Sequence, residues 1–303
     1  MFDLISIGTV GVDMYFKSDS LTFSQGRFQL AAGGKYFTDE FHTSLGGGGA
    51  NVAIGAQKKG ARTALMSVIG KNAFQKMIEE KLRDSGVSTL YCRHDEDYLN
   101  ISSILLSDKG EKTVINYQTP HQNMFHSSKQ LEGLLRTKAV YLGNLPDVSL
   151  TDKIKLARFI HHNNSELFLN LGVRDCRRRP EEILELVKYA SVLIVNGYEF
   201  SDLVKKQYRF LNFRENMKKI YFPKLENLLL VVTDGKKGSY AYNDTQVCYQ
   251  RIFPVEKVLD TTGAGDGYTA AFIASFIKHH DEQLAMEKGA QYAIKIIARV
   301  GAN

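Results

Sequence analysis

Apolar residues along this chain fall into two patterns, short continuous runs and longer runs with a three- or four-residue period. The continuous runs have strand length and lie at residues 4–10, 64–69, 139–142, 167–171, 191–195 and 228–232. The periodic runs at 50–59 and 73–85 predict helices. Strands that are apolar along their whole length are typical of a parallel sheet covered on both faces. We therefore predict a doubly wound, mostly parallel α/β fold with ligands bound outside the carboxyl ends of its strands.

Two segments instead alternate apolar and polar residues. Residues 14–41 carry glycines as turn signals, and residues 101–117 alternate around a turn at 108–110. Such alternation is typical of antiparallel strands with one solvated face. We expect the two segments to pair as a small β-sheet lid, at roughly 14–45 and 97–119, inserted in a single domain that spans residues 1–303.

Composition and charge exclude several classes of protein. The net charge is +6, but basic residues are interleaved with acidic ones, and the tightest basic cluster, at 174–179, is typical of a solvated helix entry. We therefore expect no nucleic-acid partner. No apolar run approaches the roughly 18 residues of a membrane-spanning helix, so we expect no membrane association. Three widely spaced cysteines predict reduced thiols in a cytoplasmic protein, without a disulfide framework or a zinc site.

The residues at 260–266, Asp-Thr-Thr-Gly-Ala-Gly-Asp, stand directly before an apolar helical run. Glycines at a helix start let backbone N–H groups approach a ligand, and the helix dipole there favours negative charge. The same dipole favours the ionised form of Asp266 in the first turn. A carboxylate beside an anion site suits phosphoryl transfer to a hydroxyl group, whose proton it can accept. The alternative is a tight turn before an acid-capped helix.

A run of four glycines at 46–49 also leads into a predicted helix, which begins near Asn51. Backbone without side chains can press against a ligand, and an Asn side chain offers donors and an acceptor to hydroxyl groups. On its own, the run is explained equally well as a flexible hinge. Asp13 follows the first strand, where a turn aspartate is the plain interpretation.

Two further polar clusters follow predicted strands. Asn196 and Glu199 come directly after the strand at 191–195, with the spacing of a helix capping box. Residues 233–238, Thr-Asp-Gly-Lys-Lys-Gly, follow the strand at 228–232, and their glycines are typical of a hairpin turn. Each cluster also lies at a strand end, where a ligand is expected.

In order and position, these motifs resemble those of the ribokinase-like (PfkB) sugar and nucleoside kinases, and the resemblance spans nearly the whole chain. It implies the ribokinase-like fold and the transfer of the γ-phosphate of ATP to a hydroxyl group of a sugar or sugar-like small molecule. It also implies a lid that closes and excludes water from the reaction. A nucleoside acceptor, or a catalytically silent sugar-binding sensor, are the alternatives.

The resemblance implies a role for each motif. Asp266 is the expected base. The expected anion hole is the backbone of Gly263, Ala264 and Gly265. The expected acceptor contacts are Asp13, Gly46, Gly47 and Asn51. The expected nucleotide contacts are Asn196, Glu199, Thr233, Gly235 and Gly238. Asn196 and Glu199 are also expected to hold Mg²⁺ through water, since Mg²⁺ retains several waters when bound. In relatives the counterpart of Asp260 helps form a loop that binds a monovalent cation. The resemblance therefore raises K⁺ activation through Asp260 as an open question.

Several positions depart from the family pattern or lie outside it. Gly11 and Gly48 stand where many ribokinases carry Asn and Lys, which argues against D-ribose as the acceptor. Lys71 replaces an acid that is common in relatives, so acceptor contacts from that loop are in doubt. Arg174 follows the strand at 167–171 and is a candidate to bind an acidic group of the acceptor. The identity of the acceptor, the adenine contacts and the oligomeric state stay open, although a half-solvated lid can pair with a second subunit.

Overall fold

The structure, a computed structural model, describes residues 1–107, 111–120 and 128–302. The predicted turn at 108–110 lies outside the described residues. The strands are β1 (Leu4–Ile7), β2 (Gly11–Lys17), β3 (Phe23–Ser24), β4 (Arg27–Phe28), β5 (Glu40–Gly46), β6 (Thr63–Met66), β7 (Val68–Gly70), β8 (Arg93–Asp95), β9 (Asn100–Leu106), β10 (Lys112–Gln118), β11 (Ala139–Leu142), β12 (Glu166–Asn170), β13 (Val192–Asn196), β14 (Leu229–Thr233), β15 (Ser239–Tyr242) and β16 (Val247–Gln250).

Ten α-helices lie between these strands or after them in the described part of the chain. They are α1 (Gly48–Lys58), α2 (Gln75–Asp84), α3 (Ser128–Leu135), α4 (Leu150–His162), α5 (Val173–Cys176), α6 (Pro180–Val187), α7 (Gly197–Leu203), α8 (Met217–Tyr221), α9 (Ala264–His279) and α10 (Glu282–Ile297). None of the helices in the described ranges has the length and apolar character that crossing a membrane requires.

Eight strands form one large sheet in the order β16-β15-β14-β13-β12-β11-β1-β6. The six strands β6, β1, β11, β12, β13 and β14 pair in parallel, and β15 and β16 add an antiparallel edge. Alternate residues of one strand serve two different cores. Leu4 packs with residues of α1, α9 and α10, whereas Ile5 packs with residues of α4 and α6. The predicted parallel sheet, covered by helices on both faces, is confirmed.

The lid is a second sheet of four strands in the order β10-β9-β2-β5. It begins at Gly11, three residues before the predicted boundary at 14, because the chain enters the lid almost directly after β1. Most of the alternating segment forms no sheet, and only the two-residue strands β3 and β4 pair between β2 and β5. Periodicity alone shows which residues suit a half-buried strand, but not which of them find a partner strand.

The apolar run at 64–69 forms two strands where one was predicted. Thr63–Met66 pairs with β1 in the large sheet, whereas Val68–Gly70 pairs with β8 in a separate two-stranded sheet. Both pieces are fully buried, so the run looks continuous in sequence. The change of partner at Ser67 depends on β8, which lies more than twenty residues further along the chain.

Candidate active site

The glycine run forms a junction between the lid, the first strand and helix α9. A Cβ atom added at Gly46 would lie 2.3 Å from Oδ1 of Asp13, and one added at Gly48 would lie 3.5 Å from Oδ1 of Asp266. Gly47 precedes α1 with a φ of 93°, in the left-handed region that favours glycine. Because these residues have no side chains, they bring the two predicted functional carboxylates to neighbouring positions.

Asp13 lies inside this junction, on the lid strand β2, with only 7% of its surface exposed. Its neighbours across the lid sheet are Ser44 on β5 and Ser102 on β9. Burial raises the pKa of Asp13, a hydrogen bond from Ser102 lowers it, and the nearby carboxylates of Asp260 and Asp266 raise it further, so that the net shift is upward. A buried carboxylate surrounded by hydroxyl groups suits the binding of hydroxyl groups on a small molecule.

Asp266 lies in the first turn of α9, one of the two helices whose N-termini meet here. Asn51 in α1 donates a hydrogen bond of 2.7 Å from Nδ2 to Oδ2 of Asp266. Burial raises the pKa of the Asp266 carboxyl, and the hydrogen bond from Asn51 acts in the opposite direction. The expectation that the helix N-terminus favours the ionised form is therefore outweighed by desolvation, which favours the neutral acid.

The start of α9 is open to a ligand. Gly263 precedes the helix with a φ of 73°, and no side chain caps the first turn. A Cβ atom at Gly265 would meet nothing within 4 Å, so this part of the backbone faces open space. The Ala264 N–H instead donates to the carbonyl oxygen of Thr261 at 3.3 Å. Of the three residues expected in the anion hole, Ala264 is thus already engaged within the turn.

Asn196 and Glu199 form the capping box that is the plain interpretation of their spacing. Oδ1 of Asn196 accepts from the backbone N–H of Tyr198 and Glu199, and Oε2 of Glu199 accepts from the backbone N–H of Asn196. Burial raises the pKa of Glu199, and the nearby carboxylate of Asp266 raises it further. A cation between these two carboxylates would relieve both effects, so the residues fit Mg²⁺ chemically. The described residues contain no group of three or more His, Cys, Asp or Glu side chains that could hold a metal by themselves.

The nucleotide turn follows the neighbouring strand. Thr233 on β14 pairs in register with Asn196 on β13, so the two predicted clusters lie side by side. β14 and β15 are antiparallel, and the turn between them contains Gly235 and Gly238 with φ values of 52° and 97°. The hairpin interpretation is confirmed, and it is compatible with a ligand contact.

One support of this turn was not predicted from the sequence. The Tyr208 hydroxyl donates to Oδ1 of Asp234 at 2.5 Å and accepts from Nζ of Lys237 at 2.8 Å. The Tyr208 ring also stacks on Tyr198 at a centroid distance of 4.7 Å. Tyr208 begins a short 3-10 helix, Tyr208–Phe210, whose sequence has neither strand nor helix periodicity, so no sequence signal indicated these contacts.

Arg174 lies apart from the carboxylate junction. Its guanidinium Nη1 donates to the carbonyl oxygen of Pro146 at 3.1 Å and to Oδ1 of Asp147 at 3.3 Å. Asp147 lines a cleft together with Thr9 and Gln118, and Gln118 is the last residue of the lid strand β10. The structure therefore places Arg174 at the rim of a cleft between the lid and the strand ends. There its guanidinium pairs with the carboxylate of Asp147. The Lys71 ammonium pairs with Glu96 at the surface, at 2.7 Å.

Two lid residues at the site were not among the predicted contacts. The Lys112 ammonium lies 3.1 Å from Oδ1 of Asp260 and 2.6 Å from Oγ1 of Thr262. Asn100 lies against Gly11, where an added Cβ atom would approach its side chain to 2.7 Å, and its Nδ2 donates to the carbonyl oxygen of Val10. Both residues meet partners about 90 or more positions away in sequence, so local patterns could not reveal them.

The chain is similar to known sugar and nucleoside kinases along its whole length. The profile of the pfkB family carbohydrate kinases matches residues 1–303. The chain is 24% identical to a nucleoside kinase of Methanocaldococcus jannaschii, over 99% of this chain and 92% of that protein. It is 23% identical to a 5-dehydro-2-deoxygluconokinase of Halalkalibacterium halodurans, over 98% of this chain and 89% of that protein.

Solved structures show the same architecture. Arabidopsis thaliana ribokinase, complexed with ribose and ATP, superposes with a TM-score of 0.81 at 23% identity, over 99% of this chain and 94% of that chain. The nucleoside kinase of Methanocaldococcus jannaschii gives a TM-score of 0.77 at 20% identity, over 100% of this chain and 93% of that chain. These likenesses confirm the predicted ribokinase-like fold.

Proposed function

The chain belongs to the pfkB family of carbohydrate kinases and is an ATP-dependent phosphotransferase; we propose that Asp266 is the base with which it phosphorylates a hydroxyl group of a sugar or sugar-like small molecule. One observation carries the assignment of the base. Asp266 lies where the N-termini of α1 and α9 meet, and there it accepts a hydrogen bond from Asn51 and faces Gly48. It therefore lies within the first turn of the open helix start at which a phosphate would bind.

The proposed reaction follows from this placement. Asp13, Gly46, Gly47 and Asn51 orient the acceptor so that one hydroxyl group points to Asp266. Asp266 takes the hydroxyl proton while the hydroxyl oxygen attacks the γ-phosphorus of ATP, the bond to the β–γ bridging oxygen breaks, and ADP leaves. The backbone of Gly263 and Gly265 stabilises the charge on the transferred group, because N–H donors at a helix start are oriented before the reaction begins.

The nucleotide side of the site lies at the ends of β13 and β14. We assign the phosphates of ATP to Thr233 and the turn that contains Gly235 and Gly238. Mg²⁺, held through water by Asn196 and Glu199, would neutralise charge on these phosphates. The support for this assignment is the raised pKa of Glu199 next to Asp266, because two desolvated carboxylates favour a nearby cation.

Two further properties complete the proposal. Large apolar side chains on the face of the lid opposite to Asp13 are exposed, namely Phe41, Ile115 and Tyr117. We assign this surface to contact with a second copy of the chain, since exposed apolar patches of this kind commonly mark interfaces. We also place the protein in the cytoplasm. The support is that Cys92, Cys176 and Cys248 are all free thiols.

A nucleoside acceptor is the second candidate. The nucleoside kinase of Methanocaldococcus jannaschii aligns with 99% of this chain at an identity comparable to that of the sugar kinases. Both acceptor classes present neighbouring hydroxyl groups to Asp13, so the carboxylate junction serves either one. The junction by itself therefore does not distinguish the two acceptor classes.

An ADP-release screen tests the proposed function. The purified protein is offered Mg-ATP with about fifty sugars, sugar acids and nucleosides, and Asp266→Asn serves as the matched control. We expect at least one acceptor to release ADP, and we expect the variant to lower kcat at least about 10³-fold while it still binds ATP. Full activity in the variant would refute the role of Asp266. Binding of a sugar without ADP release from the wild type would favour the sensor alternative.

A further inference from the structure

The Lys112 ammonium connects the lid to the loop that leads into α9. Lys112 is the first residue of the lid strand β10, opposite Leu106 of β9. Its side chain leaves the lid and reaches Oδ1 of Asp260 at 3.1 Å and Oγ1 of Thr262 at 2.6 Å. Both partners belong to the core, and Thr262 directly precedes Gly263, which begins the proposed anion hole.

Asp260 is the most buried carboxylate near the site, with none of its side chain exposed. Its Oδ1 accepts from the backbone N–H and the hydroxyl of Thr262, and its Oδ2 accepts from the backbone N–H of Gly301. Burial raises the pKa of Asp260, but the bonds from Thr262 and the charge of Lys112 outweigh it, so the pKa lies below its ordinary value. The carboxylate is therefore ionised, and Lys112 is the cation that balances it.

These contacts do not fit a monovalent metal ion at Oδ1 of Asp260. The ammonium of Lys112 already lies at hydrogen-bond distance from this oxygen and from Oγ1 of Thr262. A second cation beside it would be repelled at close range in a buried setting, where screening is weak. The expectation of a K⁺ loop at Asp260 therefore disagrees with the side chains present.

We propose that Lys112 takes the place of a monovalent cation at Asp260, so that phosphoryl transfer in this chain needs no added K⁺. The proposal rests on the proposed function, because it concerns the loop that carries the anion hole. Lys112 is a positioning residue, since it acts through Asp260 and Thr262 on the backbone of Gly263.

Because the cation is part of the lid, the loop receives it only when the lid lies on the core. Lys112 is also close enough to Asp13 for its charge to lower the pKa of that acceptor carboxylate. An acceptor held by Asp13 on the lid and by Asp266 in the core draws the lid onto the core and thereby brings the ammonium to Asp260. Acceptor binding and the ordering of the anion hole are linked through one side chain, which favours phosphoryl transfer over ATP hydrolysis while the site is empty.

A cation titration tests the proposal. Initial rates are measured with the acceptor found in the screen, in buffers with a bulky organic cation, and then with increasing KCl, NaCl or NH₄Cl at constant ionic strength. For the wild type we expect the initial rate to change less than about twofold on addition of these salts, since its positioning cation is the side chain of Lys112 itself. Activation of the wild type at least about fivefold by K⁺ or NH₄⁺ would overturn the proposal.

The variant Lys112→Met provides the second readout. We expect kcat to fall about 10²-fold in the organic-cation buffer. Addition of NH₄⁺ or K⁺ should restore at least about a tenth of the lost kcat, because a small cation can then reach Asp260. Lys17→Met is the matched control. Lys17 also lies opposite Leu106 in the lid, but its ammonium pairs with Glu40 of the lid itself.

The possible outcomes separate the two proposals. If the wild type phosphorylates no acceptor, the proposed function fails, whereas an active but K⁺-dependent wild type refutes only the role of Lys112. Loss of activity in Lys112→Met without rescue by any cation contradicts cation replacement and indicates a purely structural contact. Should Lys112→Met fail to fold, the titration of the wild type still decides the question.

Discussion

Burial raises the pKa of Asp266, and the hydrogen bond from Asn51 lowers it again only in part. A carboxyl whose pKa lies closer to the working pH is a stronger base than a solvated aspartate, which favours the abstraction of a hydroxyl proton. The same burial opposes folding, because the folded protein must hold a charge that water would solvate better. Burial of Asp266 therefore makes it a stronger base and at the same time lowers the stability of the folded protein.

We expect Asp266→Asn to be at least as stable as the wild type at neutral pH. Asn is uncharged and keeps an oxygen that accepts from Asn51. Because the folded pKa is raised, the destabilising effect of the charge is absent below the unfolded pKa, near 3.8, and grows as the pH rises through the folded pKa. Thermal unfolding at several pH values should show a difference in Tm that is near zero at about pH 4 and favours the variant at neutral pH. A variant that is less stable at neutral pH would contradict this reasoning.

Glu199 combines a structural and a chemical role, and two substitutions separate them. Glu199→Gln keeps an oxygen for the backbone N–H of Asn196 but removes the charge, whereas Glu199→Ala removes both. We expect the free energy of unfolding of Glu199→Gln to lie within about 0.5 kcal/mol of the wild-type value. That of Glu199→Ala should fall by about 1 kcal/mol, because the cap is lost. Both variants should need roughly tenfold more Mg²⁺ for half-maximal rate. An unchanged Mg²⁺ requirement in Glu199→Gln would limit Glu199 to the capping role.

At the scale of elements, the site is built from two helix starts without side-chain caps. Helix α1 follows Gly47 and helix α9 follows Gly263, both with left-handed backbone, and neither preceding residue offers a side chain to its helix. A helix that begins without a side-chain cap leaves first-turn N–H groups for an anionic ligand, except where a carbonyl oxygen accepts them, as those of Thr9 and Thr261 do from Ala50 and Ala264. Both starts lie on the same face of the large sheet, because α1 and α9 pack against the same core.

Two glycines at the start of α9, Gly263 before the helix and Gly265 in its first turn, lead to opposite predictions. A Cβ atom at Gly263 would lie 2.2 Å from Cβ of Ala302, with a φ of 73°, so Gly263→Ala should destabilise the protein by at least about 1–2 kcal/mol. Gly265→Ala meets no atom within 4 Å and should leave stability unchanged or raise it by up to about 1 kcal/mol. Denaturant unfolding measures both. A Gly263→Ala variant as stable as the wild type would show that the helix start does not need the left-handed residue.

At the scale of the whole molecule, the lid and the core are two sheets joined through the glycine run. The lid supplies Asp13 and Lys112, whereas the core supplies Asp260 and Asp266, so the proposed site exists only when the sheets lie together. The outer strand β10 exposes Val114, Ile115 and Tyr117. A sheet edge with exposed apolar residues is unfavourable in water unless another surface covers it.

We expect Ile115→Glu to abolish self-association through the lid. Ile115 is 60% exposed on β10, and a charge there would be buried without a partner between two copies. Size-exclusion chromatography with light scattering should give a dimer for the wild type and a mass near 34.1 kDa for the variant. Ile220→Glu is the control, because Ile220 is comparably exposed but lies on α8, outside the lid. A monomeric wild type, or a dimeric Ile115→Glu, would exclude the lid surface as the interface.

Local sequence patterns predicted four of the eight strands of the large sheet, β11 to β14, to within one residue, because each of these strands is apolar on both faces and bounded by polar residues. They failed where a strand depends on a distant partner, as at residues 64–69 and in most of 18–39. The same holds for the site. Asp266, Asn196 and Glu199 belong to compact motifs, whereas Lys112, Asn100 and Tyr208 have no local signature.

The sequence by itself determined the class of fold and the family to which the chain belongs, because backbone turns, helix starts and strand ends are encoded by neighbouring residues. Only the tertiary structure decided which charges meet. It placed Lys112 on Asp260, 148 positions away, and Asn51 on Asp266, 215 positions away. Electrostatic pairing depends on distance in space and on burial, and both arise only after the two sheets have packed together.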